Sequence, residues 1–124
     1  MKKITIIGVG VMGGIFCEAF NEWDYDCDVT ITNRSSEKLE ILKDKYPSFH
    51  ITQNNVEAVK DADMVVLAVK PQGFAKVAEE IKGKINEDTL ILSIMTGVTI
   101  KKIKSVLDVK KVVRAVPNLG AKVN

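Results

Sequence analysis

The sequence predicts an α/β fold: a doubly wound parallel sheet of six strands in the order 3-2-1-4-5-6, with helices on both faces. Three observations lead there. Short apolar segments alternate with helix-patterned ones along the whole chain. The run Met64-Val65-Val66-Leu67-Ala68-Val69 is continuously apolar, as a parallel strand buried on both faces must be. The glycine run Gly8-Val9-Gly10-Val11-Met12-Gly13 directly follows the apolar stretch Ile4–Ile7 and opens a helix-like segment.

Each element has its own warrant. Ile4–Ile7 is strand one. Val11 to about Glu22 is the first helix, with Val11, Ile15 and Ala19, and Met12, Phe16 and Phe20, recurring every four residues. Asp28–Thr32 is strand two. Ser35 or Ser36 caps a second helix that carries Leu39 and Leu42 on one face and ends before Pro47. Phe49–Thr52 is a short third strand, and Asn54 or Asn55 opens a brief helix to about Lys60. Asp63–Val69 is strand four. Phe74 to about Ile81 is a helix with Phe74, Val77, Ala78 and Ile81 at helical spacing. Thr89–Ser93 is strand five, Thr99 caps a helix containing Ile103 and Leu107, and Lys111–Ala115 is strand six, a candidate exposed edge.

The composition narrows the function classes. A chain of 124 residues with 46% hydrophobic and 27% charged residues suits one compact domain. A net charge of +2, with the lysines spread over several helices, argues for neither nucleic acid nor membrane as a partner. No apolar run approaches the roughly 20 residues of a membrane span. Met1-Lys2-Lys3 leads straight into a strand without a cleavage pattern, so the expected location is the cytoplasm. Cys17 and Cys27 lack metal-ligand spacing and His50 is the single histidine, so no metal site is expected and both thiols read as reduced. His50, beside Ile51, reads as structural.

The glycine run has a specific physical use. Gly8 permits the tight turn out of the strand, Gly10 lets a pyrophosphate approach the backbone, and Gly13 lets the helix pack closely on the strand. The helix N-terminus then offers unpaired N–H groups to the phosphates, as in a dinucleotide-binding Rossmann domain. NAD-binding domains usually carry an acid at the end of strand two, which bonds the ribose hydroxyl. This chain has Asn33-Arg34-Ser35-Ser36. Arg34 can pair with a 2′-phosphate that an acid would repel. At roughly 1.5–3 kcal/mol for a charge-assisted bond, a preference of about ten- to a hundredfold for NADP(H) is expected. Ala68-Val69-Lys70-Pro71 ends strand four, where open α/β sheets bind ligands. Pro71 stops that strand, and Lys70 reads as ordering the loop or facing solvent rather than as a catalytic amine. Thr96 and Gly97, past strand five, are expected to line the same crevice. No residue stands out as a general acid, so the catalytic set is left open.

These pieces together resemble pyrroline-5-carboxylate reductase, the family that completes proline synthesis. The matching stretches are Ile7–Met12, Asn33-Arg34-Ser35, Asn55, Leu67-Ala68-Val69-Lys70-Pro71-Gln72, Gly97-Val98-Thr99-Ile100 and Val113–Asn118, and they span essentially the whole chain. The resemblance implies that Gly8–Gly13 cradle the pyrophosphate of NADPH. It places Asn33, Arg34 and Ser35 around the 2′-phosphate and Asn55 on the adenosine side. Ala68–Pro71, Thr96 and Gly97 flank the nicotinamide half.

The sequence also departs from the family's pattern. Family members are about twice as long, and their helical second half makes the dimer and most of the substrate pocket. No such segment occurs in these 124 residues. Met95 and Thr96 replace small alanines, with the expectation of a narrower pocket, and Leu119-Gly120 replaces Thr-Pro. The expected function is therefore an NADP(H)-binding domain of such a reductase, inactive without a helical partner domain or self-association. The alternatives are a standalone NADP(H)-binding or regulatory module, or the N-terminal half of another NADP-dependent reductase, such as a deazaflavin-dependent or imine reductase.

Overall fold

In a computed structural model, which describes residues 2–8, 14, 17–19 and 27–115, ten elements follow one another along the chain. They are β1 (Lys2–Ile7), β2 (Cys27–Thr32), α1 (Ser36–Lys45), β3 (His50–Thr52), α2 (Asn55–Lys60), β4 (Met64–Leu67), α3 (Pro71–Ile81), β5 (Leu90–Ser93), α4 (Ile100–Leu107) and β6 (Val112–Arg114). Gly14 and Cys17–Ala19 are also helical, and the remainder of the expected first helix lies outside the described residues. The sheet is parallel, in the order β3-β2-β1-β4-β5-β6, as the alternation predicted.

Alternating side chains of the central strands feed two cores, one on each face of the sheet. Ile4 and Ile6 of β1, Val29 and Ile31 of β2 and Val66 of β4 pack with Leu39, Tyr46, Phe49 and Cys17. Ile7, Val65, Leu67 and Ile91 face the other way, onto Phe74, Val77 and Ile81 of α3 and Ile103 and Leu107 of α4. Each fully buried aliphatic side chain contributes roughly 1.5–3 kcal/mol. Because both faces of β4 are covered, its sequence is apolar throughout rather than alternating.

Helix starts follow local chemistry. The side chains of Ser35, Asn54 and Thr99 accept hydrogen bonds from the backbone N–H groups of Lys38, Glu57 and Lys102, capping α1, α2 and α4. α3 has no side-chain cap and begins with Pro71 at its first position, where a missing N–H is harmless.

Some boundaries differ from the sequence reading. β4 ends at Leu67 rather than Val69; Ala68 still donates its N–H to the Ile7 carbonyl at 2.9 Å, after which the chain turns over Gly8. α3 starts three residues earlier than expected, because Pro71 both ends the strand segment and begins the helix. β3 starts at His50, since Phe49 stacks on Tyr46 with ring centroids 5.0 Å apart. Thr89 precedes β5, its hydroxyl donating to the Ala62 carbonyl at 2.7 Å. β3 and β6 are the outer strands of the sheet, and Val113 of β6 is 48% exposed. Among the described residues, no helix is long and apolar enough to cross a membrane.

Candidate dinucleotide site

Strand order reverses around β1: the chain moves outward to β2 and β3, then returns to β4 on the other side. Such a switch leaves a crevice at the carboxyl ends of the strands. A groove of about 790 Å³ lies there, with Ile7, Gly8, Thr32 and Ala68 among its lining residues.

Gly8 makes the entry to this groove possible. Its φ is +74°, and its N–H donates to the Thr32 carbonyl at 3.0 Å. A Cβ at this position would lie 2.6 Å from Cγ1 of Val69 and 3.2 Å from the Val69 backbone. The turn after β1 and the turn after β4 therefore approach each other as closely as a glycine allows.

The β2–α1 turn forms one wall. The Asn33 side-chain oxygen accepts from the Ser35 N–H at 3.0 Å, an Asx turn that bends the chain out of β2. The Ser35 hydroxyl oxygen then caps α1 at 3.2 Å from the Lys38 N–H. These bonds use acceptors, leaving the Asn33 amide protons and the Ser35 hydroxyl proton to be donated elsewhere. Between them Arg34 is exposed at the groove and forms no ion pair among the described residues. Gln53 secures the Arg34 backbone, its side-chain N–H donating to the Arg34 carbonyl at 2.6 Å.

Helix α3 forms the opposite wall. Its first turn comes close enough that a Cβ on Gly73 would lie 3.8 Å from a terminal nitrogen of Arg34. Lys76 and Glu80 follow along the same side of the helix, and Lys70 precedes it. Asn55, at the start of α2, reaches across to α3 and donates its amide N–H to Glu80 Oε2 at 3.2 Å. Arg34, Lys38, Lys70 and Lys76 thus face one carboxylate, Glu80, among the described lining residues. Such a surface favours a multiply charged anion.

Several sequence-predicted residues converge on this groove: Gly8, Asn33, Arg34, Ser35, Asn55, Ala68, Val69 and Lys70 all line it. Pro71 does not; it serves as the first residue of α3. Thr96 and Gly97 form an exposed turn after β5, with Gly97 at a φ of +79°, and do not line the described groove. Met95 is 2% exposed and packed in the α3/α4 core, so its bulk goes into the interior instead of narrowing the groove. Val9, Gly10, Val11, Met12 and Gly13 lie outside the described residues, as does the Val116–Asn118 stretch.

Sequence reasoning missed Lys38, Gln53, Lys76 and Glu80. A signal existed in the polar spacing of Gln72, Lys76 and Glu80 beside the apolar face of α3. Read alone, that spacing is indistinguishable from an ordinary solvated face. His50 is remote from the groove, paired with Asp28 at 2.8 Å where β3 begins. Cys17 is buried, and burial, reinforced by the Glu18 carboxylate and opposed by Lys45, pushes its thiol from an ordinary 9.0 up to about 11.

A family model described as NADP oxidoreductase coenzyme F420-dependent matches residues 3–97. The chain belongs to this family. Within it, the chain is 34% identical over 125 residues to pyrroline-5-carboxylate reductase 2 of Dictyostelium discoideum, covering 94% of this chain and 40% of that one. A solved pyrroline-5-carboxylate reductase from Coxiella burnetii superposes with a TM-score of 0.86 at 38% identity, covering 97% of this chain and 45% of the other. The Plasmodium falciparum pyrroline carboxylate reductase, solved with NADP bound, shares the fold with a TM-score of 0.73 at 22% identity, over 94% of this chain and 42% of that one. The resemblance read from the sequence therefore holds, and the chain spans under half the length of these relatives.

Proposed function

We propose that these 124 residues are the NADP(H)-binding domain of an oxidoreductase of the pyrroline-5-carboxylate reductase type. In this reading, a cyclic imine is reduced to proline once a substrate-binding domain is supplied. The observation that carries the reading is Arg34, exposed at the groove and without an ion pair among the described residues, where an NAD-specific domain would place an acid. Lys38 and Lys76 add positive charge on either side. The fit of a dinucleotide is supported by the Gly8–Val69 approach, which leaves backbone where a side chain would otherwise intrude.

When bound, the nicotinamide supplies the hydride, and the protein supplies binding and orientation. Gly8, Val9, Gly10, Val11, Met12 and Gly13 are assigned to the pyrophosphate, and Asn33, Arg34 and Ser35 to the 2′-phosphate. Asn55 is assigned to the adenosine, and Ala68–Pro71 with Thr96 and Gly97 to the nicotinamide side. The Plasmodium relative with NADP bound supports this choice of cofactor. Alone, the domain is expected to bind NADPH and form little or no proline. A cytoplasmic setting suits the two free cysteines, Cys17 and Cys27. The family description also favours a second reading, an NADP oxidoreductase working with coenzyme F420, which uses the same groove.

Calorimetric titration with NADPH and NADH tests the proposal. NADPH is expected to bind about ten- to a hundredfold more tightly than NADH, and Arg34→Ala to abolish most of that difference. Equal affinities in the unaltered protein would overturn the Arg34 assignment, and binding of neither would overturn the function.

A further inference from the structure

Asn55 lies in the groove wall with its amide nitrogen turned to Glu80, 3.2 Å from Oε2. An ionised carboxylate only accepts hydrogen bonds. The flipped amide would set its oxygen against that carboxylate, so Glu80 selects one orientation of Asn55. The Asn55 carbonyl oxygen is left as the end that is not committed to α3. We propose that Glu80 is a positioning residue that makes Asn55 a hydrogen-bond acceptor for a donor group on the adenosine, its amino group or a ribose hydroxyl. This rests on the groove's being the cofactor site. A phosphate oxygen, itself an acceptor, cannot fill this role.

The pair spans two elements, α2 and α3, that are otherwise joined through the core. The hydrogen bond is exposed in the free protein and adds little to stability there. A bound adenosine would exclude water from it, so its effect belongs to the complex rather than to the fold. Glu80 is also the one carboxylate among the described lining residues of a cationic groove. Mere electrostatics would have it weaken NADPH binding; positioning has it strengthen binding of NADPH and NADH alike. The two roles have opposite signs.

Titrations of NADPH, NADH and the hypoxanthine analogue of NADPH into the unaltered chain, Glu80→Ala and Glu80→Gln decide between them. Glu80→Ala is expected to weaken NADPH and NADH equally, by about three- to tenfold, with an unchanged melting temperature. Glu80→Gln, whose amide can pair with Asn55 in either orientation, is expected to lose most of the same affinity; full affinity in Glu80→Gln would overturn the orientation argument. A loss of discrimination against hypoxanthine in Glu80→Ala identifies the amino group as the donor; retained discrimination with the same loss of affinity identifies a ribose hydroxyl. In an Asn55→Ala background, Glu80→Ala should cost nothing further. Tighter NADPH binding in Glu80→Ala, or additive losses with Asn55→Ala, would overturn the inference while leaving the cofactor assignment standing. Failure of the unaltered chain to bind either nucleotide would overturn both.

Discussion

Gly8 and Cys17 show how a single residue constrains this protein. At Gly8 an L side chain meets two penalties, a left-handed backbone at φ +74° and a contact of 2.6 Å with Val69. Gly8→Ala is therefore expected to cost about 2 kcal/mol or more in thermal or urea unfolding and to weaken NADPH binding. A variant as stable as the parent would refute the close approach. Gly8 was legible because only a residue without a Cβ serves there. Its partner Val69 was not, because contact between two turns depends on how β1 and β4 align. Cys17 presents the opposite case, a reactive atom made inert by burial. Its folded pKa lies above the ordinary value, so its contribution to stability is complete below about pH 9 and is lost as pH rises toward about 11. Cys17→Ala should flatten that alkaline decline. In thiol labelling followed by mass spectrometry at neutral pH, half-buried Cys27 is expected to react well before Cys17. Equal labelling rates would contradict the burial of Cys17.

Among the elements, α3 combines three tasks. Its apolar face, Phe74, Val77, Ala78 and Ile81, covers β4 and β5; its first turn stands beside Arg34; and its polar flank carries Lys76 and Glu80 into the groove. The first task was readable from helical periodicity. The others were not, because periodicity separates buried from unburied faces without saying which unburied flank meets another element. Gly73 offers a test of the wall. Added Cβ atoms there meet nothing closer than an Arg34 nitrogen at 3.8 Å, an ordinary contact, and the backbone is helical. Gly73→Ala is thus expected to stabilise the protein by about 0.5–1 kcal/mol, through the lower helix propensity of glycine. A fall in melting temperature would show that this turn needs glycine for another reason. The β3–α2 connection has a similar hidden role: Gln53 and Asn55 tie it to Arg34 and Glu80, partners 19 and 25 residues away.

For the whole molecule, charge and topology act together. The chain's net charge is only +2, yet Arg34, Lys38, Lys70 and Lys76 gather around one groove. NADPH affinity is accordingly expected to fall more steeply with added salt than NADH affinity, because the 2′-phosphate adds charge that salt screens. Calorimetry at about 20 and 200 mM salt, a range over which the screening length shortens several-fold, checks this; parallel salt dependences would mean that the cations do not meet the extra phosphate. The sequence by itself determined the α/β class, the sheet order and the need for glycine at position 8, since these follow from local pattern: apolar runs, helix caps and backbone freedom. It also marked Arg34, because the residue type at the end of β2 carries its own chemistry. Only the tertiary structure decided that Lys38, Lys76, Gln53 and Glu80 join that site, and that Met95 is packed in the core. Their placement depends on the parallel crossovers that bring α1, α2 and α3 around the carboxyl ends of β1, β2 and β4. Local sequence records which side chains are polar. The long-range register of the sheet decides which of them face one another.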